Sequence, residues 1–255
     1  MTATNHKNSS LPHRYLNILR ELGCRLSPET EILDLGCGSG HTVSELRALG
    51  YRAFGCDLRF KQHDETDTAA LQRENILRRI DTSPYRLPFA DNHFDIIISD
   101  QVFEHVRNYE ETICETGRIL KSNGCCLHVF PARLKPIESH TRVPFGSIIR
   151  CYPWLLFWAT MGIHNHFQHG FSAKKKAALN YEYLTSSTCY LPGNKIIAAF
   201  EKYFSEVFYA EKLFLKHSEG GRFACHLSGV MPFIPRLYRT FRARVLVARN
   251  PFKTV

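Results

Sequence analysis

Residues 31–50 read EILDLGCGSGHTVSELRALG, and the order of residue types in that stretch decides the architecture. EILDLG (31–36) is an apolar run of strand length that stops in a turn where every second residue is glycine. HTVSELRALG (41–50) then places Val43, Leu46 and Leu49 on one helical face and ends in Gly50, a helix stop. A buried strand feeding a glycine turn and then a helix is the opening of a βαβ unit.

Working outward, short apolar runs keep alternating with amphipathic stretches as far as Ala132. YRAFGCD (51–57) reads as a second strand, DTAALQRENILRR (67–79) as a helix, and RRIDT (78–82) as the entry to a short third strand. FDIIISD (94–100) sets three consecutive isoleucines between aspartates, the mark of a strand buried on both faces. NYEETICETGRIL (108–120) reads as an amphipathic helix and CCLHVFP (125–131) as the next strand. Regular alternation fades over 133–192, which is rich in aromatics, proline and histidine. It returns with a helix in NKIIAAFEKYF (194–204), a strand in SEVFYAEKLFL (205–215) and a final strand in RVLVARNP (244–251).

The glycine turn carries chemistry as well as shape. Residues without a Cβ let the backbone approach a ligand, and the following helix start offers free N–H groups. A dinucleotide fingerprint runs GxGxxG, whereas Gly36, Gly38 and Gly40 run GxGxG. Asp34, just ahead of the turn, suits a ligand that carries an amino group. Asp57 ends the second strand, seventeen residues after Gly40, where a carboxylate can accept from both hydroxyls of a ribose. Asp81 and Thr82 follow the third strand, and an acid there either accepts from the exocyclic amine of adenine or caps a loop.

Three ordered motifs, DLGCGSG, LPFADNHFDIIISDQVFEHV and ETGRILKSNGCCLHVFPA, resemble those of the class I S-adenosylmethionine-dependent methyltransferases. More narrowly, they are similar to the small-molecule group related to quinone-biosynthesis methyltransferases. The resemblance runs through roughly residues 30–132. It implies an α/β fold with a Rossmann-like, seven-stranded, mostly parallel sheet whose last strand is antiparallel. It also implies S-adenosylmethionine as cofactor. Residue by residue, it assigns Gly36, Gly38 and Gly40 to the methionine end, Asp57 to ribose, and Asp81 with Thr82 to adenine; Asp34 and Leu58 join them as cofactor-binding candidates.

Past residue 132 the resemblance falls silent and the residues speak alone. PIESHTRVPF (136–145) places Glu138 and His140 just beyond the fifth strand, and Glu104-His105 follows the fourth strand on the same rim. An oxygen acceptor needs a base, so His140 and His105 are the catalytic candidates. The aromatics Tyr152, Trp154, Phe157, Trp158, Phe167 and Phe171 suit an apolar acceptor. Arg142, Arg150 and Lys174-Lys175-Lys176 suit an anionic group on it. His164, His166 and His169 do not fall on one helical face and have no carboxylate close by in sequence, so no metal is expected.

Composition bounds the rest. With 44% hydrophobic and 22% charged residues, the chain can bury a core without staples. Nine cysteines, an odd number with no CxxC pair, fit free thiols in a reducing, cytoplasmic setting. The N-terminus lacks an apolar signal core, and the longest uncharged apolar run (151–163) falls short of the about twenty residues a span requires. A soluble protein is therefore expected.

The net charge of +9 leaves contact with an anionic lipid or membrane surface open, and no specific nucleic-acid partner is expected. The expected organisation is an N-terminal tail and helix (1–29), a cofactor-binding core (30–132), an inserted substrate lid (133–192), and a C-terminal part of the sheet (193–255) with a second insertion at 216–240. The function read from these residues is methyl transfer to a small-molecule acceptor, lipid-linked and phosphorylated acceptors included. The rivals are an NAD-type oxidoreductase, which the glycine spacing disfavours, and a nucleotide-binding module without catalysis.

Overall fold

A computed structural model describes residues 11–63 and 66–252 of the chain. The tail expected over residues 1–10 lies outside the described residues. The strands are β1 (Glu31–Leu35), β2 (Arg52–Asp57), β3 (Leu77–Arg79), β4 (Asp81–Thr82), β5 (Tyr85–Arg86), β6 (Phe94–Asp100), β7 (Leu120–Pro131), β8 (Phe204–Tyr209) and β9 (Ala243–Pro251). Seven of them form one sheet in the order β3-β2-β1-β6-β7-β9-β8, while β4 and β5 pair as a separate hairpin. The pairs β2/β3, β1/β2, β1/β6 and β6/β7 are parallel, and β9 runs antiparallel to both β7 and β8. Strand order reverses between β1 and β6, and in such sheets the crevice at the carboxyl ends beside the reversal is where ligands bind.

The continuous apolar runs follow from burial on both faces. Ile97 of β6, Leu33 of β1 and Leu246 of β9 face one core with α4 (Tyr109–Ile119) and α7 (Gly193–Glu201), around Ile113 and Phe200. Ile96 and Ile98, Ile32, and Val245 and Val247 face the opposite core. That side is covered by α1 (Leu11–Glu21), α2 (His41–Ala48) and α8 (Glu211–His217), through Leu19, Val43 and Phe214. Neighbouring residues along a strand point to opposite faces, so a sheet covered on both sides needs apolar residues at every position.

Two expected elements differ in extent. The helix expected over 67–79 is α3 (Thr68–Arg73), and the remainder becomes a turn and β3. Asn75 takes a left-handed backbone (φ 58°), which ends the helix and frees Ile76 and Leu77 to bury beside β2. The strand expected over 205–215 stops at Tyr209, where its pairing with Leu246 of β9 ends. The chain turns at Ala210 into α8, whose Phe214 and Leu215 are buried. The second excursion expected at 216–240 thus begins inside α8 and continues as α9 (Arg222–Leu227) and α10 (Ile234–Phe241).

Residues 133–192 leave the carboxyl end of β7 and build a lid-like extension from α5 (Tyr152–Thr160), a 3-10 turn (His166–Gln168) and α6 (Ala173–Ser186). It has a small core of its own in Val143, Leu155, Ala159, Ala177 and Leu184. Its two ends are tied by Glu138, only 1% exposed. Glu138 Oε2 accepts from the backbone N–H groups of His140 (2.9 Å) and Thr141 (2.6 Å) and from the Thr141 hydroxyl (2.8 Å). Glu138 Oε1 accepts from the Tyr190 hydroxyl at 2.7 Å. Burial raises the Glu138 carboxyl, but the donors from Thr141 and Tyr190 outweigh it and hold the group below the ordinary carboxylate range.

Because the folded value is depressed, this pairing stabilises the protein above the ordinary carboxylate range and is lost as pH falls through the lowered value. We expect Glu138→Ala to cost about 2–4 kcal/mol at neutral pH, since it strands several buried donors at once. Hydrogen exchange should quicken over 136–190 before it quickens in the sheet. Unchanged protection of that segment would show that the lid is closed by other contacts.

Candidate functional site

The β1–α2 turn lies flat against its neighbours. The backbone N–H groups of Gly36 and Cys37 both donate to the Cys56 carbonyl of β2 (2.8 and 3.2 Å). A Cβ on Gly36, which sits at φ 78°, would come within 2.3 Å of Val102 Cγ2. A Cβ on Gly40 would come within 2.6 Å of Leu77 Cδ1. Asp57 closes the turn from the other side, accepting from the Gly38 N–H (2.8 Å) and the Arg59 N–H (3.1 Å).

Leu58, beside Asp57, is 48% exposed. The Ile80 N–H donates to the Asp57 carbonyl (3.0 Å), so Asp81 and Thr82 stand at the adjacent strand end, exposed in the β4–β5 hairpin. Gly36, Gly38, Gly40, Asp57, Leu58, Asp81 and Thr82 therefore form one continuous edge across the carboxyl ends of β1, β2 and β3.

That edge is acidic. Burial raises the Asp34 carboxyl to about 7, and Asp100 and Asp57 beside it add to the shift. Asp100 is also raised by burial, with Gln101, Tyr15 and Arg14 opposing. Pairing Asp34 with Ile98 in register sets Asp100 at the same end of the sheet. A cavity of about 230 Å³ opens there, lined by Arg14, Tyr15, Asp100, Gln101, Lys135 and Arg242 among others. Gln101 holds a left-handed backbone (φ 56°), a strained conformation for a side chain of its kind. Sequence reasoning did not single out Arg14, Tyr15 or Gln101. Arg14 and Tyr15 lie on an ordinary amphipathic helix, and only the packing of α1 brings them to the rim.

Carboxylates crowded at a glycine turn suit a cationic ligand. S-adenosylmethionine carries a sulfonium and an ammonium, and these residues fit it: Asp34 and Asp100 would face the cationic methionine end, and Asp57 the ribose. A dinucleotide would bring its anionic pyrophosphate to the same carboxylates, at a Coulomb cost.

The two catalytic candidates converge across the lid. The ring centroids of His105 and His140 are 5.0 Å apart, and Tyr183 of α6 lies 5.4 Å from His140. Between them sits Glu104, 1% exposed, with both imidazole Nε2 atoms 4.0 Å from its Oε1. Burial pushes the Glu104 carboxyl to about 8, with Asp100 and Glu138 adding to it. Burial also lowers the His140 imidazole. Glu138 opposes that shift, while His105, Lys135 and Lys61 reinforce it. Lys61 also passes 4.0 Å from where a Cβ on Gly38 would sit, so it links the glycine turn to the histidines.

His140 and Tyr183 line a cavity of about 700 Å³ with Phe167, Phe171, Leu179 and Arg142. The other aromatics expected there are elsewhere. Trp154 and Trp158 pack against the lid's own core, and Tyr152 and Phe157 are exposed. Arg150 is engaged with the carbonyls of Ser147 and Leu184. His164 and His169 lie 5.9 Å apart, and His166 packs on Phe167.

A protein-family profile described as a methyltransferase domain matches residues 33–128. The chain is 27% identical over 157 residues to the ubiquinone biosynthesis O-methyltransferase of Rickettsia canadensis, covering 62% of this chain and 61% of that one. It is 33% identical over 113 residues to the glycine/sarcosine/dimethylglycine N-methyltransferase of Actinopolyspora halophila, covering 42% of this chain and 19% of that one. The chain thus spans less than two thirds of the length of these relatives. Among solved structures, the phosphoethanolamine N-methyltransferase 2 of Haemonchus contortus in complex with S-adenosyl-L-methionine matches with a TM-score of 0.51 at 14% identity. That match covers 95% of this chain and 53% of the other, and at such identity it speaks for the fold alone. The matched segment, residues 33–128, lies on the strands and glycine turn just described, and over it the chain is similar to the class I S-adenosylmethionine-dependent methyltransferases, their small-molecule, quinone-type members included.

Proposed function

We propose that this protein transfers a methyl group from S-adenosylmethionine to a small-molecule acceptor seated in the lid cavity. Two features carry the reading: the carboxylate-rich edge of β1, β2 and β6, and the 700 Å³ cavity that His140 lines, with Asp100 of the edge acting electrostatically on Glu104 beside His140. The cofactor supplies an electrophilic methyl on a sulfonium. The protein's task is to align the acceptor behind that methyl, exclude water and take up the acceptor's proton. His140 lines the cavity and the His105 ring lies 5.0 Å from it, which supports these two as the groups that take the proton, and burial favours the neutral, proton-accepting form of His140.

The cavity also suggests the class of acceptor. Phe167, Phe171 and Leu179 offer apolar contact, and Arg142 offers a cation to an anionic group. Phe167 on the cavity wall is exposed, Lys175 sits 4.0 Å from the ring of Phe171, and elsewhere on the lid Phe157 and Met161 are exposed, which supports a lipid-linked or phosphorylated acceptor taken from a membrane surface. No helix among the described residues is long and apolar enough to cross a membrane, so contact of this kind would be peripheral. Nine free cysteines support a reducing, cytoplasmic setting.

Calorimetry should detect binding of S-adenosylmethionine and far weaker binding of NAD; the reverse order would overturn the reading. The affinity should also depend on pH in a stated direction. Asp34 is ionised above about 7 and pairs with a cationic ligand only in that form. Affinity should therefore rise by about tenfold from pH 6 to pH 8, following the ionised fraction, and Asp34→Asn should flatten the rise. An affinity that falls over that range would remove Asp34 from the site.

Acceptor fractions separated into lipid, glycan and small-molecule pools can be screened with labelled S-adenosylmethionine. With an accepted fraction in hand, His140→Ala should lower turnover by about 10²–10⁴, with cofactor affinity little changed. Full turnover in that variant would remove His140 from proton handling.

A further inference from the structure

We propose that Glu104, His105 and His140 hold a divalent first-row transition-metal ion at the floor of the lid cavity, with its open coordination positions facing the acceptor. The sequence led to the opposite expectation, because His164, His166 and His169 do not share one helical face and have no carboxylate close by in sequence. In the fold, one ligand atom from each of Glu104, His105 and His140 lies within 4.8 Å of the others.

The surroundings point to a missing cation. Glu104 is wholly enclosed, and among the described residues neither carboxylate oxygen finds a hydrogen-bond partner in another residue. A buried carboxylate in that condition is costly unless a cation completes it. The Nε2 atom of His140 is likewise buried without a partner. At 4.0 Å from Glu104 Oε1, both imidazoles are too far for hydrogen bonds, yet one ion placed between them could reach all three groups. With bonds of about 2.0–2.2 Å, ligand atoms around such an ion stand about 3–3.5 Å apart, so the trio closes by about an ångström.

The histidines are already oriented for this. His105 Nδ1 lies 2.8 Å from the Ser187 carbonyl, which can only accept, so Nδ1 carries the hydrogen and Nε2 turns its lone pair toward Glu104. A backbone carbonyl in that position is the usual outer partner of a metal-bound imidazole. The main chain of His140 is pinned on both sides, by Glu138 Oε2 at its N–H (2.9 Å) and by Asn165 Nδ2 at its carbonyl (3.0 Å). Two imidazoles and one carboxylate favour zinc, iron(II), cobalt or manganese over magnesium or calcium. His140 and Ser187 line the 700 Å³ cavity, so the unfilled positions of the ion open onto it. With the ion bound, His105 and His140 would serve as its ligands in place of acting as the base; an oxygen donor of the acceptor would bind there, and its hydroxyl would lose its proton to solvent more readily beside the cation. That last step rests on the methyl-transfer reading, whereas ion binding does not.

The test uses the full chain, stripped with a chelator and titrated with zinc, cobalt(II) and magnesium chlorides. We expect one equivalent of zinc or cobalt to bind far more tightly than magnesium, with cobalt giving a visible absorption band from imidazole ligation. His140→Ala and the near-isosteric Glu104→Gln should each weaken zinc by more than the roughly 10–100-fold that loss of an outer partner costs. His164→Ala should leave zinc binding unchanged. Circular dichroism and binding of S-adenosylmethionine serve as fold controls. Substoichiometric zinc, or equal affinity in a folded Glu104→Gln or His140→Ala protein, would overturn the ion site even where cofactor binding is intact. Tight zinc binding without cofactor binding would sustain the ion site and overturn methyl transfer instead.

Discussion

The backbone of Gly36 passes so close to Val102 that a single added methyl would come within 2.3 Å of it. That contact presses the turn after β1 against the turn after β6, across the point where strand order reverses. The glycine edge, Asp34 and Asp57 lie on one side of it, and Gln101 to His105 on the other. Loosening it would separate the cofactor edge from the cluster that faces the acceptor, which is why the absence of a side chain at residue 36 matters more than any contact made by one.

Charge is distributed against the average. The chain carries a net +9, yet the carboxyl edge of the sheet collects Asp34, Asp57 and Asp100. Keeping such groups together in a low-dielectric place raises their proton affinity and costs stability. Under the proposed function, that arrangement would suit a pocket for a sulfonium and an ammonium. The histidine side of the crevice shows the same contrast: among the described residues Glu104 is buried without a donor from another residue, while Glu138, which acts electrostatically on it, is saturated with them. One carboxylate builds the lid, and the other is left available.

Much of the sheet was legible because both of its faces are covered. Runs such as Ile96-Ile97-Ile98 admit few other readings, and the glycine turn announced where the first crossover begins. The misjudged stretches were those where local pattern and tertiary context disagree. Residues 74–79 have helix-forming neighbours, but Asn75 turns left-handed and Leu77 is drawn into the sheet edge beside β2. Residues 210–215 extend an apolar strand on paper, but the ladder with β9 ends at Tyr209 opposite Leu246, one last bond runs from the Ala210 N–H to the Val245 carbonyl, and the chain folds back as a helix onto α1.

The sequence by itself determined the class of fold and marked out a candidate cofactor edge, because glycine spacing, strand-end acids and two-faced apolar runs are local patterns that short-range sterics and burial enforce. It named His105 and His140 only as separate candidates. Their meeting around Glu104, the exclusion of Trp154 and Arg150 from the cavity, and the arrival of Arg14 and Tyr15 at the rim were decided by tertiary structure alone. These depend on how the lid folds back over the carboxyl ends of the strands, a long-range packing solution that Glu138 closes by joining His140 and Thr141 to Tyr190. No local periodicity encodes a contact between residues 138 and 190, since only the assembled core sets the distance between them.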